Sequence, residues 1–242
     1  MLTIDFDLIP LRGGERVLDL GCGPGRHSWY VCKLDHCKVY AVDYDLESLQ
    51  KAKYMLGMMD ADDETRGTWT VMQGNAMSLP FGDGVFDKIV CSEVLEHVLD
   101  DEQAVRELYR VLSDDGELAV SVPSYLPETL FWKISEAYHT NPGGHIRIYR
   151  HRQLVDLFRR NNFSVYAVGH KHAFHSLYWL LRCLFGVRNE KALVPALYHK
   201  FLAWQIDKDS GIVSRVERFF DRFLAKSLVI YLRKADRPQA AA

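Results

Sequence analysis

Short apolar runs alternate with longer amphipathic segments along the first half of the chain. Five runs rich in β-branched residues predict strands, at Arg16–Leu20, Lys38–Val42, Thr68–Met72, Asp87–Cys91 and Glu117–Val122. Three intervening segments predict helices, at about 25–34, 46–58 and 101–112. Strands that alternate with helices predict an α/β fold with a parallel sheet covered on both faces, and ligands of such sheets bind beyond the carboxyl ends of the strands.

The second half has a different pattern, with a long helical stretch between its two strands. It predicts a helix at about 152–160 and strands at Ser164–Val168 and Ser227–Arg233, which are 58 residues apart. Three helices are predicted between these strands, at Phe174–Gly186, Ala196–Ile206 and Ile212–Leu224. In the last one, Ile212, Val216, Phe219, Phe220 and Phe223 share one face, and Arg215, Arg218 and Arg222 lie elsewhere. We expect these apolar faces to bury one another as a cap; a dimer surface and a lipid-facing helix are the alternatives.

A glycine-rich turn follows the first predicted strand, and an acid follows the second. The turn reads Asp19-Leu-Gly-Cys-Gly-Pro-Gly25, which is G-x-G-x-G, because position 26 is Arg rather than the third glycine of a dinucleotide fingerprint. This spacing argues against a site for NAD or FAD. Asp43 is placed to accept both hydroxyls of a ribose, and the alternative role, capping the next helix, can be filled by Asp45.

Charge is distributed unevenly around a net value of −2. Residues 1–123 hold 11 Lys/Arg and 23 Asp/Glu, whereas residues 124–242 hold 19 and 9, with seven of the ten histidines. This pattern indicates either two solvated surfaces of opposite sign or a second half that faces something anionic.

The five cysteines form no C-x-x-C pair, the first residues lack a basic signal-peptide region, and no run of 18 apolar residues occurs, so we expect a cytoplasmic protein.

The motifs together resemble the class I (Rossmann-like) methyltransferases that depend on S-adenosylmethionine (SAM). The resemblance rests on Val17–Gly25, Asp43, Gly74–Phe81, Phe86–His97 and Glu107–Leu112, and it covers about residues 10–170. It is closest to the methyltransferase type 11 branch, which methylates small molecules such as quinone, sugar and lipid acceptors. The resemblance implies a seven-stranded, mostly parallel sheet with helices on both faces. The long helical insertion between the last two strands departs from relatives, which commonly join them by a short hairpin.

The resemblance also implies which residues bind SAM and its product S-adenosylhomocysteine (SAH). The backbone of Gly21, Cys22, Gly23 and Gly25 would run beside the methionine part, with Asp19 near its ammonium group and Ser92 near the methionyl end. Asp43 would hold the ribose, Tyr44 would pack on adenine, and Asn75 and Ala76 would meet the adenine edge. Many relatives have Asp at position 75, and an Asn carbonyl can still accept from the adenine amine.

Two histidines are candidates for the general base of methyl transfer to a hydroxyl. His145 lies in a Gly-His-x-Arg stretch that resembles one beside the acceptor pocket of relatives, and His97 follows the fourth strand. Glu93 and Glu96 are expected to be exposed acids at a helix start, with orientation of a histidine as the alternative. Arg147 would either clamp an anionic acceptor or be solvated.

No metal site is expected. His170 and His172 would share one face of a strand, with His175 following, but no carboxylate or cysteine is nearby in sequence.

We therefore expect a SAM-binding domain at 1–170 and 227–242, with a helical acceptor cap at 124–150 and 171–226. The expected function is O-methylation of a hydroxyl on a small-molecule or glycan-like acceptor that carries negative charge or lies beside it. An isoprenoid quinone, phenolic or lipid acceptor is an alternative, as is a SAM-binding regulator without turnover. Nucleic acid is not an expected partner, because the segment Ser92-Glu-Val-Leu95 replaces the tetrapeptide of amino-methylases and no Pro-Cys pair is present. Peripheral membrane contact and a homodimer remain open.

Overall fold

The computed structural model describes residues 2–34, 36–139, 144–189, 191–208 and 211–235, without the side chains of His139, Ile206, Asp207 and Ile212. These described residues form seven strands and nine α-helices. The strands are β1 (Arg16–Leu20), β2 (Lys38–Asp43), β3 (Thr68–Gln73), β4 (Phe86–Ser92), β5 (Leu112–Pro123), β6 (Phe163–Lys171) and β7 (Ser227–Lys234). The helices are α1 (Arg26–Leu34), α2 (Leu46–Ala61), α3 (Asp101–Val111), α4 (Tyr125–Ile134), α5 (Glu136–His139), α6 (His151–Arg160), α7 (Ala173–Phe185), α8 (Leu193–Lys208) and α9 (Gly211–Leu224).

The strands form one sheet in the order β3-β2-β1-β4-β5-β7-β6. The five strands from β3 to β5 run parallel, and β7 is antiparallel to both β5 and β6. The expected α/β fold with a seven-stranded, mostly parallel sheet is confirmed. The order reverses beside β1, so its carboxyl end and that of β4 open onto a crevice where a ligand can enter.

Both faces of the sheet are covered by helices. Alternation along β1 sends Val17 to one side, where it packs with Val31 of α1, and Leu18 to the other, where it packs with Leu108 of α3. Because the side chains on both faces of the central strands are buried, these strands are nearly continuous hydrophobic runs. This two-sided core makes the strand ends a rigid support for polar groups.

The chain after β5 contains α4 and α5, which lie in the segment 124–150 that was expected to be helical, although the sequence pattern gave no bounds for either helix. One local prediction is corrected. His172 does not continue β6, which ends at Lys171; it precedes α7 in a left-handed conformation with φ 72°. His170 and His172 therefore do not share a strand face.

The three predicted helices between β6 and β7 are present as α7, α8 and α9, and we call residues 172–226 the insert. Helix α7 packs against α4, α8 and α9, and α9 packs against β6, the edge strand. All five cysteines are buried and free. Within the described residues, no helix has the length and apolar composition needed to span a bilayer.

Candidate functional site

A cavity of about 970 Å³ opens at the carboxyl ends of β1, β2 and β4. It brings together eight of the residues predicted for the site, namely Gly21, Gly23, Asp43, Tyr44, Asn75, Ala76, His97 and His145. The segments that line it come from the strand ends and from the loop at Gly144–Ile146, and no residue of the insert is among the described lining residues. The assignment of 124–150 and 171–226 as an acceptor cap over the strand ends stays a prediction, and from these two segments the described lining residues are Gly144, His145 and Ile146.

The glycine turn has a shape that side chains would prevent. Gly21 has φ 68°, and a Cβ atom there would lie 2.2 Å from Val94 Cγ2. Gly23 has φ 52°, and a Cβ atom there would meet nothing within 4 Å, so this position opens onto the cavity. Positive φ and close approach both require glycine. The turn thus offers bare backbone to a ligand.

Asp43 fixes the same turn from β2. Its Oδ2 accepts from the Gly23 amide at 2.7 Å, and its Oδ1 accepts from the Asp45 amide at 2.8 Å. Asp45 caps α2 by accepting from the Ser48 amide at 2.9 Å, as expected, which leaves Asp43 at the cavity wall. Each carboxylate oxygen can accept more than one hydrogen bond, so both remain able to bind hydroxyls.

Four predicted cofactor residues lie beneath the cavity wall rather than on it. Asp19 is buried, its Oδ2 accepts from the Ser28 amide and hydroxyl, its Oδ1 has no partner, and burial raises the pKa of its carboxyl. The Cys22 thiol is buried, and Ser92 Oγ lies 2.9 Å from Ser121 Oγ. A Cβ atom at Gly25 would lie 2.7 Å from Trp29 Nε1. Contacts of Asp19, Cys22, Gly25 and Ser92 with a cofactor stay predictions.

The predicted adenine side is open. The Tyr44 side chain is 76% exposed, which leaves its ring free to stack on a planar ligand. Asn75 Oδ1 accepts from the Met77 amide at 2.9 Å, so its second lone pair and its amide group remain for a base edge. Ala76 is buried beside it and lines the cavity.

At the opposite end of the cavity, His145 is held by a buried carboxylate. His145 Nδ1 lies 2.5 Å from Glu128 Oε1, and Glu128 also accepts from Trp132 Nε1 at 3.0 Å and from the Tyr138 hydroxyl at 3.1 Å. Burial raises the pKa of Glu128. The hydrogen bond from His145 and the charge of the His145 ring outweigh burial, so the pKa of Glu128 is lowered overall. Glu128 is therefore an ionised acceptor, and His145 Nδ1 donates to it.

Glu128 is a residue of the candidate site that sequence reasoning missed. It is the one acid in the stretch Tyr125–Ile134, which is mostly apolar apart from Thr129 and Lys133, and only 1% of it is exposed. A lone carboxylate in such a helix requires a polar partner, which was the available signal.

His97 lies beside His145, with 5.0 Å between ring centroids, and its Nδ1 lies 3.2 Å from the Gly144 carbonyl oxygen. Burial, followed by the neighbouring His145, lowers the pKa of His97.

The expectation that Glu96 is an exposed acid is wrong, because Glu96 is fully buried in a 3₁₀ turn and its carboxylate has no hydrogen-bond partner. Burial, with Glu93 nearby, raises the pKa of Glu96 well above its usual range, which favours the neutral acid. Glu93 lines the cavity with φ 57° and accepts from Ser121 Oγ.

Among the described residues, two groups of side chains approach the spacing of metal ligands. Glu96, His97 and His145 form one, and His172, His175 and Glu217 form the other, with ligand atoms within 4.8 Å of one another in each. Glu217 comes from α9, so the fold supplies the carboxylate that the sequence around the histidines lacks. The expectation that the protein needs no metal stays a prediction.

The charged residues of the cavity wall are acids. Asp43, Asp45 and Glu93 line it, and neither Lys nor Arg occurs among the lining residues described. Arg147, the candidate clamp for an anionic acceptor, instead binds Asp101 Oδ2 at 2.6 Å and the Leu99 carbonyl at 2.7 Å. The site is therefore suited to a cationic ligand, and the positive charge of the second half lies elsewhere.

Comparison with known proteins adds chemistry to this geometry. Residues 18–120 match a protein family described as methyltransferase domain. The chain is 30% identical over 113 residues to 27-O-demethylrifamycin SV methyltransferase of Amycolatopsis mediterranei, which covers 47% of this chain and 40% of that protein. It is 29% identical over 133 residues to sterol 24-C-methyltransferase of Eremothecium gossypii, which covers 54% of this chain and 32% of that protein. The chain thus spans less than half the length of these curated relatives.

The fold has solved counterparts over nearly its whole length. A SAM-dependent methyltransferase from Methanosarcina mazei superposes with a TM-score of 0.63 and 17% sequence identity, covering 97% of this chain and 99% of that one. At this identity the similarity shows the fold alone.

Proposed function

This chain carries a SAM-dependent methyltransferase domain of the class I fold, and from that premise we propose that it methylates a hydroxyl oxygen of a small-molecule or glycan-like acceptor. The acceptor would bind at the end of the cavity where His145 and His97 lie. The observation that carries the proposal is the hydrogen bond between His145 Nδ1 and the buried Glu128 carboxylate.

The cofactor of this family is SAM, and the residues at the strand ends fit it. The bare backbone at Gly23 leaves room for the methionyl chain, and the Asp43 carboxylate offers acceptors to a ribose. Tyr44 offers an exposed ring to adenine, and the acidic wall favours the positive charge of a sulfonium. When bound, SAM supplies a methyl group whose bond to sulfur breaks with the electron pair left on sulfur.

His145 is placed to act as the general base. Because its Nδ1 proton is committed to Glu128, the lone pair of the neutral ring is on Nε2, which can accept the proton of the attacking hydroxyl. The oxygen then forms its bond to the methyl carbon, and the positive charge that develops on His145 is stabilised by the Glu128 carboxylate. Trp132 and Tyr138 hold that carboxylate in place. Glu128 is thus a positioning residue.

The acceptor that best suits the cavity is neutral. The lining residues described include neither Lys nor Arg, so no permanent positive charge in the wall offsets the cost of removing an anion from water. An anionic acceptor is compatible with the cavity when its charged part lies outside the described wall.

A second acceptor class is favoured by the apolar part of the wall. Val94, Val98, Leu99 and Ile146 line the cavity near the histidines. This surface would bind the ring or tail of a phenolic or isoprenoid acceptor through apolar contact. Here too His145 would remove the hydroxyl proton, so the two classes differ in the acceptor and not in the catalytic groups.

The experiment is methyl transfer from labelled SAM by the purified protein, with acceptors drawn from sugar, phenolic and isoprenoid extracts and products identified by mass spectrometry. His145→Ala should lower kcat by about 10²–10⁴ while SAH affinity remains nearly unchanged. Glu128→Gln should lower kcat less and alter the pH profile of kcat, because the ring loses its ionised partner. His97→Ala tests the second candidate base.

His151→Ala is the matched control, because this exposed histidine begins α6 and does not line the cavity. Normal turnover by His145→Ala at saturating acceptor would remove His145 from catalysis. SAH binding without transfer to any extract component would favour a regulator, and a methylated carbon in the product would exclude O-methylation.

A further inference from the structure

Helix α9 presents its apolar side to solvent. Val216, Phe219, Phe220, Phe223 and Leu224 have the spacing of one helical face, and their exposed fractions lie between 39% and 66%. The adjacent side carries Glu217 and Asp221, which are buried at 9% and 7% exposure. This arrangement is the reverse of an amphipathic helix that packs on a core.

Polar contacts fix the helix in this orientation. Glu217 accepts from Gln205 Nε2 at 2.6 Å and from the Phe174 amide at 3.4 Å, and Asp221 accepts from the Ala173 amide at 2.8 Å. The two amides belong to the first turn of α7, whose N–H groups have no partner within their own helix. Because both acids must face α7, the phenylalanine side must face outward.

Helix α8 adds to the exposed apolar surface. Leu197, Phe201 and Trp204 are each more than one third exposed, and the Gln205–Glu217 hydrogen bond holds α8 beside α9. We call the exposed apolar residues of α8 and α9 the outer face. Soluble monomers rarely expose large apolar groups at this density, and such surfaces mark sites of association.

The exposed charges described on α9 all have one sign. Among the described side chains of α9, the exposed ionic ones are Arg215, Arg218 and Arg222, because Glu217 and Asp221 point inward. Lys200 of α8 is exposed as well. Two copies of the chain joined symmetrically through this face would bring arginine rows together, which disfavours a dimer. An anionic lipid surface meets both the aromatic groups and the arginines.

We propose that the outer face binds the surface of a bilayer that contains anionic lipid, with α9 lying in the plane of the headgroups. Phenylalanine and tryptophan side chains enter the boundary of the acyl chains, and the arginines remain at the level of the phosphates. The surface lies apart from the cavity lining, so this binding is independent of the reaction proposed for His145.

The test is co-sedimentation of the full chain with vesicles of phosphatidylcholine alone and of phosphatidylcholine mixed with phosphatidylglycerol. The unmodified protein should pellet with the mixed vesicles, and less so at high salt. Phe219→Asp/Phe223→Asp should lower the partition coefficient at least about tenfold, because two apolar contacts are lost and two negative charges are added. Arg215→Gln/Arg222→Gln should reduce the preference for anionic vesicles.

Tyr54→Asp/Met58→Asp is the matched control, since it adds the same charge to exposed apolar positions of α2. This variant should bind vesicles nearly as the unmodified protein does. Equal losses in both double variants, or undiminished binding of Phe219→Asp/Phe223→Asp, would overturn the proposal. So would a dimer in light scattering that Phe219→Asp/Phe223→Asp dissociates, combined with no vesicle binding.

A measurement on the unmodified protein removes any doubt over folding of the variants. Amide hydrogen exchange in α8 and α9 should slow when mixed vesicles are added, and exchange in α2 should not. Unchanged exchange in α8 and α9 on vesicles would contradict membrane docking by this face.

Discussion

Asp43 serves two structural amides and faces the cavity at the same time. Its oxygens accept from the amides of Gly23 and Asp45, so its orientation is set without a ligand. A carboxylate already aligned in this way loses little side-chain freedom when it accepts ribose hydroxyls. The residue therefore links the shape of the glycine turn to the strength of cofactor binding.

Replacing Asp43 by Asn should weaken SAH binding by about 1–3 kcal/mol, since hydrogen bonds to a charged acceptor are lost and one amide of the turn loses its partner. Isothermal titration calorimetry measures this directly. Asp115→Asn is the control, because Asp115 is exposed and is not among the residues that line the cavity. Equal affinity in Asp43→Asn and the unmodified protein would exclude Asp43 from the ribose site.

At the residue scale, the sequence located the histidine but not its partner. His145 lies in a short motif, and motifs are local, so its place at the cavity could be predicted. Glu128 precedes it by 17 residues, and their contact depends on how α4 folds back, which no spacing rule specifies. The same holds for Glu217, which reaches His172 and His175 from another helix.

Among the elements, the start of α7 is the most constrained. His172 has φ 72°, and burial, with His175 as the next contribution, lowers its pKa to about 3; burial also lowers the pKa of His175 to about 4. Both rings are therefore neutral in the folded protein across the physiological range. The unfolded chain would protonate them near the ordinary histidine pKa of about 6.5.

Stability should consequently fall as the pH decreases from about 6.5 towards 4, because the unfolded state binds more protons than the folded state in that window. His172→Asn/His175→Gln should reduce this dependence, and Asn tolerates the left-handed conformation. The measurement is the Tm at a series of pH values. His151→Asn, at the exposed start of α6, serves as control and should leave the slope unchanged; an unchanged slope in the double variant as well would refute the assignment.

Element positions were predictable where periodicity is strong, and orientation was not. The pattern of 212–224 identified an amphipathic helix and both of its faces. Which face would be buried was decided by Glu217 and Asp221, whose hydrogen bonds to α7 outweigh burial of the phenylalanine side. Hydrophobic periodicity alone assumes that apolar faces point inward, and here a polar contact has the larger effect on orientation.

Across the whole molecule, one buried ion network joins three strands. Lys88 of β4 lies 2.5 Å from Glu117 of β5, which also pairs with Arg233 of β7. Lys88 and Glu117 are 7% and 6% exposed, and Glu15 Oε1 lies 3.8 Å from Lys88. Burial raises the pKa of Glu117, but hydrogen bonds to Lys88 and Arg233 lower it overall. The network crosses the change from parallel to antiparallel pairing.

Lys88→Met should reduce the free energy of unfolding by about 3–5 kcal/mol, because it leaves Glu117 buried with a single, partly exposed cation. Urea denaturation measures the change. Lys51→Met, which breaks the exposed Lys51–Glu47 pair of α2, is the matched control and should leave the free energy of unfolding nearly unchanged. Lys88→Met/Glu117→Leu should recover most of the loss, and a Lys88→Met protein as stable as the control would show that the pair is dispensable.

The insert leaves and re-enters the sheet at one point. Lys171 at the end of β6 is the register partner of Ser227 at the start of β7, so the two ends of the insert are neighbours across a ladder. A segment with adjacent ends can be gained, lost or exchanged in evolution while every strand keeps its place, because a tight turn closes the same hairpin. Asp43 and His145 belong to other segments. Selection can therefore remodel the outer face in one lineage and the acceptor pocket in another, each without undoing the other.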